Sequence, residues 1–316
     1  MSAIQRRPLY ITEQDVHSLI DMRGAIDALV CSFREQASGE AQNSPRMRAR
    51  YWGSRLNIMS AGHKSGRFGF KAYAGTNAPT VYHVMLYDAG EGLIGILEAR
   101  RLSRLRTGAA TGVAIAALAP QGPVRLAMIG AGEQALTQLE AAAAVRPLRS
   151  VQVFARNRER LTAFCDKVSR DLKIDATPAS SAKSCTSTAD VVITATDSQT
   201  PVLSDAWLNG VSHISTVGAN AANRMELELE TFQRAVLVVT DDVEQARIEA
   251  AEIIRSAHAG QISWESVASL SAVVAEPPPP RSGLTIFKSL GAAIEDIAVA
   301  RVVYDRAVAA GAGRYL

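Results

Sequence analysis

Val124-Arg-Leu-Ala-Met-Ile-Gly-Ala-Gly-Glu-Gln-Ala135 changes character twice along its length. It opens as an apolar run, Leu126 to Ile129, bounded upstream by Pro120-Gln121-Gly122-Pro123. It breaks at Gly130-Ala131-Gly132 and resumes as a helix-like segment from Gln134 to Val145. Strand, glycine turn and helix in that order let backbone N–H groups at a helix N-terminus approach a pyrophosphate, where the helix dipole favours negative charge. On this reading Gly130 makes the tight turn, Gly132 admits the phosphates and Ala135 takes the third, close-packing position. G-x-G-x-x-A alone also occurs in ordinary loops, so the flanking pattern matters. Ser150 to Ala155 reads as the next strand and Asp190 to Thr194 as a later one. Strands alternating with helical segments over this length predict an α/β fold with a parallel, doubly wound sheet.

The chain has 316 residues, enough for two domains with cores of their own. A hydrophobic content of 47% and a charged content of 21% fit a globular protein. The net charge of +3 is carried by scattered basic residues that are not interleaved with aromatics, so no nucleic-acid partner is expected. Cys31, Cys165 and Cys185 lie far apart with no C-x-x-C pairing, against both a disulfide framework and a zinc site. His17, His63, His83, His213 and His258 have no ligand spacing, and serine-nucleophile motifs are absent. Metal and acyl-transfer chemistry are therefore not expected. The stretch Met1 to Val16 has no apolar signal core and no run approaches the length of a membrane span, so a cytoplasmic protein with no membrane partner is expected.

Before the glycine turn the pattern differs. Val16 to about Glu35 is amphipathic and predicts one or two helices, with Asp21 or Asp27 as break or cap. A polar loop, Gly39 to Pro45, leads into Arg46 to Tyr51, whose alternation predicts a strand with Arg46, Arg48 and Arg50 on one face. Leu56–Met59, Phe68–Tyr73, Val81–Tyr87 and Leu93–Leu97, the last two joined by a turn at Asp88–Gly92, predict an antiparallel meander. Glu98 to Ala119 is helical in pattern, with Arg100, Arg101, Arg104 and Arg106 ahead of an apolar half. Pro120–Pro123 and Pro277–Pro280 punctuate the chain. Gly291 to Ala310 has helical spacing, and its return to the N-terminal half would make that domain discontinuous. The expected division is 1–119 with 288–316, and 120–287.

The residue ending the second strand of a dinucleotide fold selects the cofactor: an acid binds the ribose 2′-hydroxyl, whereas an arginine accommodates a 2′-phosphate. Here that place reads Ala155-Arg156-Asn157-Arg158, without an acid. Arg156 implies NADP(H) as the preferred cofactor, with NAD(H) possible. Lys71 shares a strand face with Arg67, Gly69 and Tyr73. In a concave site lined by arginines, burial and like charge would lower its pKa and let it exchange a proton with an amine or imine. Arg46 and Arg106 beside it would suit a substrate carboxylate, which arginine grips bidentately.

These residues, in order, resemble the ornithine cyclodeaminase/mu-crystallin family over nearly the whole chain. The resemblance rests on Arg46, Leu56–Met59, Lys71, Pro79-Thr80-Val81, Leu86-Tyr87-Asp88, Arg106-Thr107-Gly108-Ala109-Ala110 and the glycine turn. It continues through Thr194-Ala195-Thr196, Pro201-Val202-Leu203, Val217-Gly218-Ala219-Asn220, Glu226-Leu227, Phe287-Lys288-Ser289-Leu290-Gly291 and Glu295-Asp296. The resemblance implies a homodimer. Each chain would have a discontinuous α+β substrate and dimerisation domain and an inserted Rossmann-type domain that uses NAD(H) or NADP(H). It gives Arg46, Lys71 and Arg106 to the substrate carboxylate, with Lys71 also the proton donor, and places Asn57, Thr80 and Asn220 at the substrate. Thr107, Gly130, Gly132, Glu133, Gln134, Arg156, Asn157, Ala195, Thr196, Val217, Ser289 and Leu290 would line the dinucleotide.

Two departures bear on the reaction. The cyclodeaminases of this family carry acids where this chain has Asn57 and Asn220. An ionised acid holds a second ammonium, whereas asparagine only hydrogen-bonds. The resemblance thus points to reduction of an imine or ketimine carboxylate, or to amino-acid dehydrogenation. Ornithine or lysine cyclodeamination and a non-catalytic NADPH- or ligand-binding protein are the alternatives. Asp197 replaces the neutral polar residue usual after Thr196, and nothing explains it.

Overall fold

The computed structural model describes residues 7–279 and 282–316. The first six residues of the N-terminal stretch, and Pro280 at the end of the proline run, lie outside the described residues. The chain forms two compact units, Met1–Arg106 with Ala292–Leu316, and Thr107–Gly291.

The first unit begins with strand β1 (Leu9–Ile11), then helices α1 (Glu13–Leu19) and α2 (Met22–Ala37). The amphipathic run breaks at Asp21, whose carboxylate caps α2 by accepting from Gly24 N at 2.9 Å. Asp27 lies inside that helix. Met22, Ala25, Ile26, Leu29 and Phe33 form its buried stripe at the helical spacing. Strands β2 (Ala41–Asn43), β3 (Met47–Tyr51), β4 (Ser54–His63), β5 (Arg67–Gly75), β6 (Tyr82–Asp88) and β7 (Gly92–Glu98) follow. Arg46 therefore precedes β3 and is buried, while Arg50 on that strand is exposed. The sheet runs C-terminal strand (Arg314–Tyr315), β1, β7, β6, β5, β4, β2, with β3 pairing β4 off this path. From β4 to β7 it is the expected antiparallel meander.

The helix Ala293–Ala310 packs on α2 and on β4, β5 and β6. It begins where Asn43 Oδ1 accepts from Ile294 N at 3.0 Å and ends at Gly311, whose φ of +64° suits a residue without a Cβ. Helix α3 (Arg100–Leu118) starts with Arg100 N and Arg101 N donating to the Glu13 carboxylate at 2.5 and 2.9 Å. Glu13 thereby anchors the helix that carries Arg106.

The second unit contains strand β8 (Val124–Ile129), helix α4 (Glu133–Val145), β9 (Leu148–Phe154) and helix α5 (Arg158–Leu172). Strands β10 (Ala176–Pro178), β11 (Val191–Thr194), β12 (His213–Thr216), β13 (Leu237–Thr240), β14 (Val267–Ser269) and β15 (Thr285–Lys288) complete its sheet. All pairings are parallel, in the order β10-β9-β8-β11-β12-β15-β13-β14. The first five follow the doubly wound order in which β8 is the innermost, first strand and the direction of winding reverses beside it, and β15, the last strand of the chain in this sheet, takes the sixth place ahead of β13 and β14. The central strands are buried without alternation, as expected for a parallel sheet covered on both faces. Among the described residues no helix is long and apolar enough to cross a membrane.

Candidate active site

In the first unit, strand alternation directs Gly69, Lys71 and Tyr73 to the face covered by helix Ala293–Ala310. A Cβ on Gly69 would lie 2.2 Å from Met85 O and 3.1 Å from Ile297 Cδ1, so only glycine fits there. Lys71 is 2% exposed. Its Nζ donates to Asp296 Oδ1 at 2.8 Å and lies 5.6 Å from the centre of the Tyr73 ring. Arg106, also buried, donates through Nε to the same Asp296 oxygen at 2.9 Å and through Nη1 to Glu295 Oε2 at 2.6 Å. Glu295 and Asp296 occupy the first turn of their helix, where the positive end of the dipole favours carboxylates.

Burial pushes the Lys71 ammonium down from its ordinary value to about 7; the neighbouring Arg106 charge pushes in the same direction, Asp296 opposes it, and Arg46 adds a smaller downward push. A lysine so placed changes protonation near neutral pH. Asn57 is buried on β4, directly across from Tyr73 and on the face of Lys71. Its Nδ2 donates to Tyr73 O at 3.4 Å, and its Oδ1 has no hydrogen-bond partner among the described residues. The fold thus gathers Arg46, Lys71, Arg106 and Asn57. Thr80 sits half-buried on the loop between β5 and β6, and Asn220 belongs to the second unit, on the segment after β12.

In the second unit Gly130 has a φ of +116°, and a Cβ there would lie 2.4 Å from Ala195 O. Its N–H donates to Phe154 O at 2.8 Å while Ala195 N donates to Ile129 O at 2.9 Å, locking the turn between β9 and β11. Gly132 is the N-cap of α4, with no side-chain cap and with open space where a Cβ would be. Glu133 is exposed and Gln134 half-buried in the first turn, while Ala135 packs in the core. An uncapped helix start with free approach has the physical features of a phosphate site.

Every other residue expected at the dinucleotide, apart from Thr107 on α3, follows the C-terminal end of a parallel strand of this sheet. Arg156 and Asn157 follow β9, Ala195 and Thr196 follow β11, Val217 follows β12, and Ser289 and Leu290 follow β15. Parallel register brings these ends to one edge of the sheet, where ligands bind in open α/β folds. Arg156 is exposed; Asn157 Oδ1 caps α5 by accepting from Arg160 N at 2.8 Å. The segment after β15 is held by Asp241, whose Oδ2 accepts from Leu290 N at 2.8 Å and Gly291 N at 2.6 Å.

Glu295, Asp296, Glu226 and Asp241 carry no role in the sequence motifs, yet the fold buries all four beside the site residues they hold. The signal for the first two was available: paired acids in a helix whose first two turns are otherwise apolar, at positions that its packing must bury.

The sequence profile of the ornithine cyclodeaminase/mu-crystallin family matches residues 7–311. An alanine dehydrogenase of Archaeoglobus fulgidus is 33% identical over 96% of this chain and 97% of its own length. Among solved structures, the Δ1-pyrroline-2-carboxylate reductase of Thermococcus litoralis, in complex with NADH and L-proline, superposes with a TM-score of 0.91 at 29% identity, over 98% of this chain and 100% of that one. An archaeal alanine dehydrogenase dimer with bound NAD gives a TM-score of 0.90 at 31% identity, over 98% of this chain and 99% of that one.

Proposed function

The chain belongs to the ornithine cyclodeaminase/mu-crystallin family, and from that premise we propose that it is an NAD(P)H-dependent reductase of small imine or ketimine carboxylates, or runs the reverse reaction as an amino-acid dehydrogenase. The observation that carries this reading is Lys71, buried between Asp296 and two arginines with a pKa of about 7. The relatives that reduce a cyclic imino acid or oxidise alanine support the same class.

The uncapped α4 start, the Gly130 turn and the lined strand ends fit a dinucleotide. When bound, that cofactor supplies or accepts the hydride at the α carbon. Arg46 and Arg106 would hold the substrate carboxylate by charge-assisted hydrogen bonds and fix the α carbon in place. In reduction the Lys71 ammonium delivers the proton to the substrate nitrogen, and Asp296 keeps that ammonium oriented. In oxidation neutral Lys71 takes the proton back.

We further propose that NADP(H) is preferred, because the chain after β9 offers exposed Arg156 and no acid. A homodimer is proposed from the dimeric archaeal relative, and Met47, Tyr51 and Trp52, exposed apolar residues of the β3 hairpin, are consistent with one. A cytoplasmic location is proposed from composition.

The test is oxidation of NADPH and of NADH, followed at the nicotinamide absorbance, with cyclic imino acids, dicarboxylic imines, and α-keto acids mixed with ammonia or methylamine. Turnover with at least one such substrate, faster with NADPH, is expected. Ammonia release from ornithine or lysine without net cofactor consumption would replace this reading by cyclodeamination. Tight NADPH binding with no turnover would replace it by a binding role.

A further inference from the structure

We infer that Glu226 is a positioning residue for the half of the dinucleotide that docks beyond β11 and β12, an inference that rests on the dinucleotide reading above. The two strands are neighbours in the sheet, and the segments leaving them meet at Thr196 and Gly218. A Cβ on Gly218 would fall 1.9 Å from Thr196 O, so the two backbones touch with no room for a side chain.

The Glu226 carboxylate, wholly buried, sits at this junction. Its Oε1 accepts from Thr196 N at 2.7 Å and Thr196 Oγ1 at 2.8 Å. Its Oε2 accepts from Gly218 N at 2.7 Å and Thr216 Oγ1 at 3.0 Å. Four donors thus converge on one anion, two from each segment. Glu226 N donates in turn to Glu252 Oε1 at 2.9 Å, and Glu252 Oε2 pairs at 3.1 Å with Lys288 Nζ, at the end of β15. The C-terminal ends of three adjacent strands are held by this chain of contacts.

Its location gives the network a ligand to serve. On the dinucleotide reading the turn after β8 would take the pyrophosphate and exposed Arg156 after β9 the adenosine half, so the second mononucleotide would fall to the β11–β12 side of the winding reversal. Ala195, Thr196 and Val217 line that side, and Glu226 fixes the backbone that carries them while lying beneath it. All four partners are donors. A glutamine would present its own N–H group to two of them and leave those donors unmatched.

The test uses Glu226→Gln in the full-length chain and compares two probes. NADPH carries both halves of the cofactor; adenosine 2′,5′-bisphosphate carries the adenosine half alone. The Kd for NADPH should rise about tenfold or more, while that for adenosine 2′,5′-bisphosphate stays within about twofold. An unchanged NADPH Kd would overturn the inference, as would equal weakening of both probes, which signals general loosening of the unit. Wild-type protein that binds neither probe would overturn the dinucleotide reading and this inference with it, a result separate from any effect of the substitution. Where Glu226→Gln does not fold, Thr216→Val removes a single donor at nearly constant volume. It should weaken NADPH selectively by a few-fold, and equal Kd ratios for the two probes would again overturn the inference.

Discussion

Reduction should switch off as pH rises through about 7, and two substitutions should move that point in opposite directions. Lys71, at a pKa of about 7, is the proposed acid. Below this value the ammonium is present and kcat/KM is flat; above it the acid is lost and kcat/KM falls about tenfold per pH unit. The oxidative direction needs neutral lysine, so its profile is the mirror image. Asp296 lies 2.8 Å from Nζ and is the principal group holding the pKa up against burial. Loss of a charge-assisted hydrogen bond costs ~1.5–3 kcal/mol, and one pKa unit is ~1.4 kcal/mol, so Asp296→Asn should lower the breakpoint by ~1–2 units. At pH 7.5 that means roughly a tenfold loss of kcat/KM or more. Arg106 pushes the other way; Arg106→Gln should raise the breakpoint even as it lowers the plateau by weakening carboxylate binding. The assay is kcat/KM against pH from about 5 to 9.5 for wild type and both variants. Breakpoints that stay in place, or move in the same direction, would refute Lys71 as the titrating acid.

Gly130→Ala places a Cβ 2.4 Å from Ala195 O at a φ of +116°; strain of ~1–3 kcal/mol should lower Tm in calorimetry and weaken NADPH in titration. Arg156→Glu should shift the NADPH-to-NADH preference toward NADH by ~10- to 100-fold in kcat/KM, since it replaces the cation proposed for the 2′-phosphate with an acid. Glu295→Gln removes the charged partner 2.6 Å from Arg106 Nη1; kcat/KM should fall by about tenfold while the Kd for NADPH is unchanged.

The parallel sheet was legible because three cues agree within a short span: an apolar run, a glycine break and a helical period. Gly130 shows why the cue is reliable, since its positive φ and its contact with Ala195 exclude any side chain. The meander was legible from alternation, and Lys71 from its place among Gly69 and Tyr73. Arg46 was misplaced by one step. Alternation puts it on a strand with Arg48 and Arg50, yet it lies before β3 and turns inward, because the pairing of β3 with β4 begins only at Met47.

The acids escaped a residue-level reading for a physical reason. A strand or helix announces itself by period, but the partner of a buried charge is set by tertiary packing: Lys71 and Asp296 are far apart in sequence and meet only because helix Ala293–Ala310 returns over β5. Three buried cations without counter-charge would repel one another and resist desolvation. Glu295 and Asp296, at a helix start that already favours negative charge, offset that cost. They also divide the work among the cations. Arg106 binds both acids, while Lys71 donates to one carboxylate, shared with Arg106, and has two cations nearby. That inequality leaves Lys71 with a pKa of about 7, so the chemistry assigned to Lys71 depends on two residues that no motif around Lys71 contains.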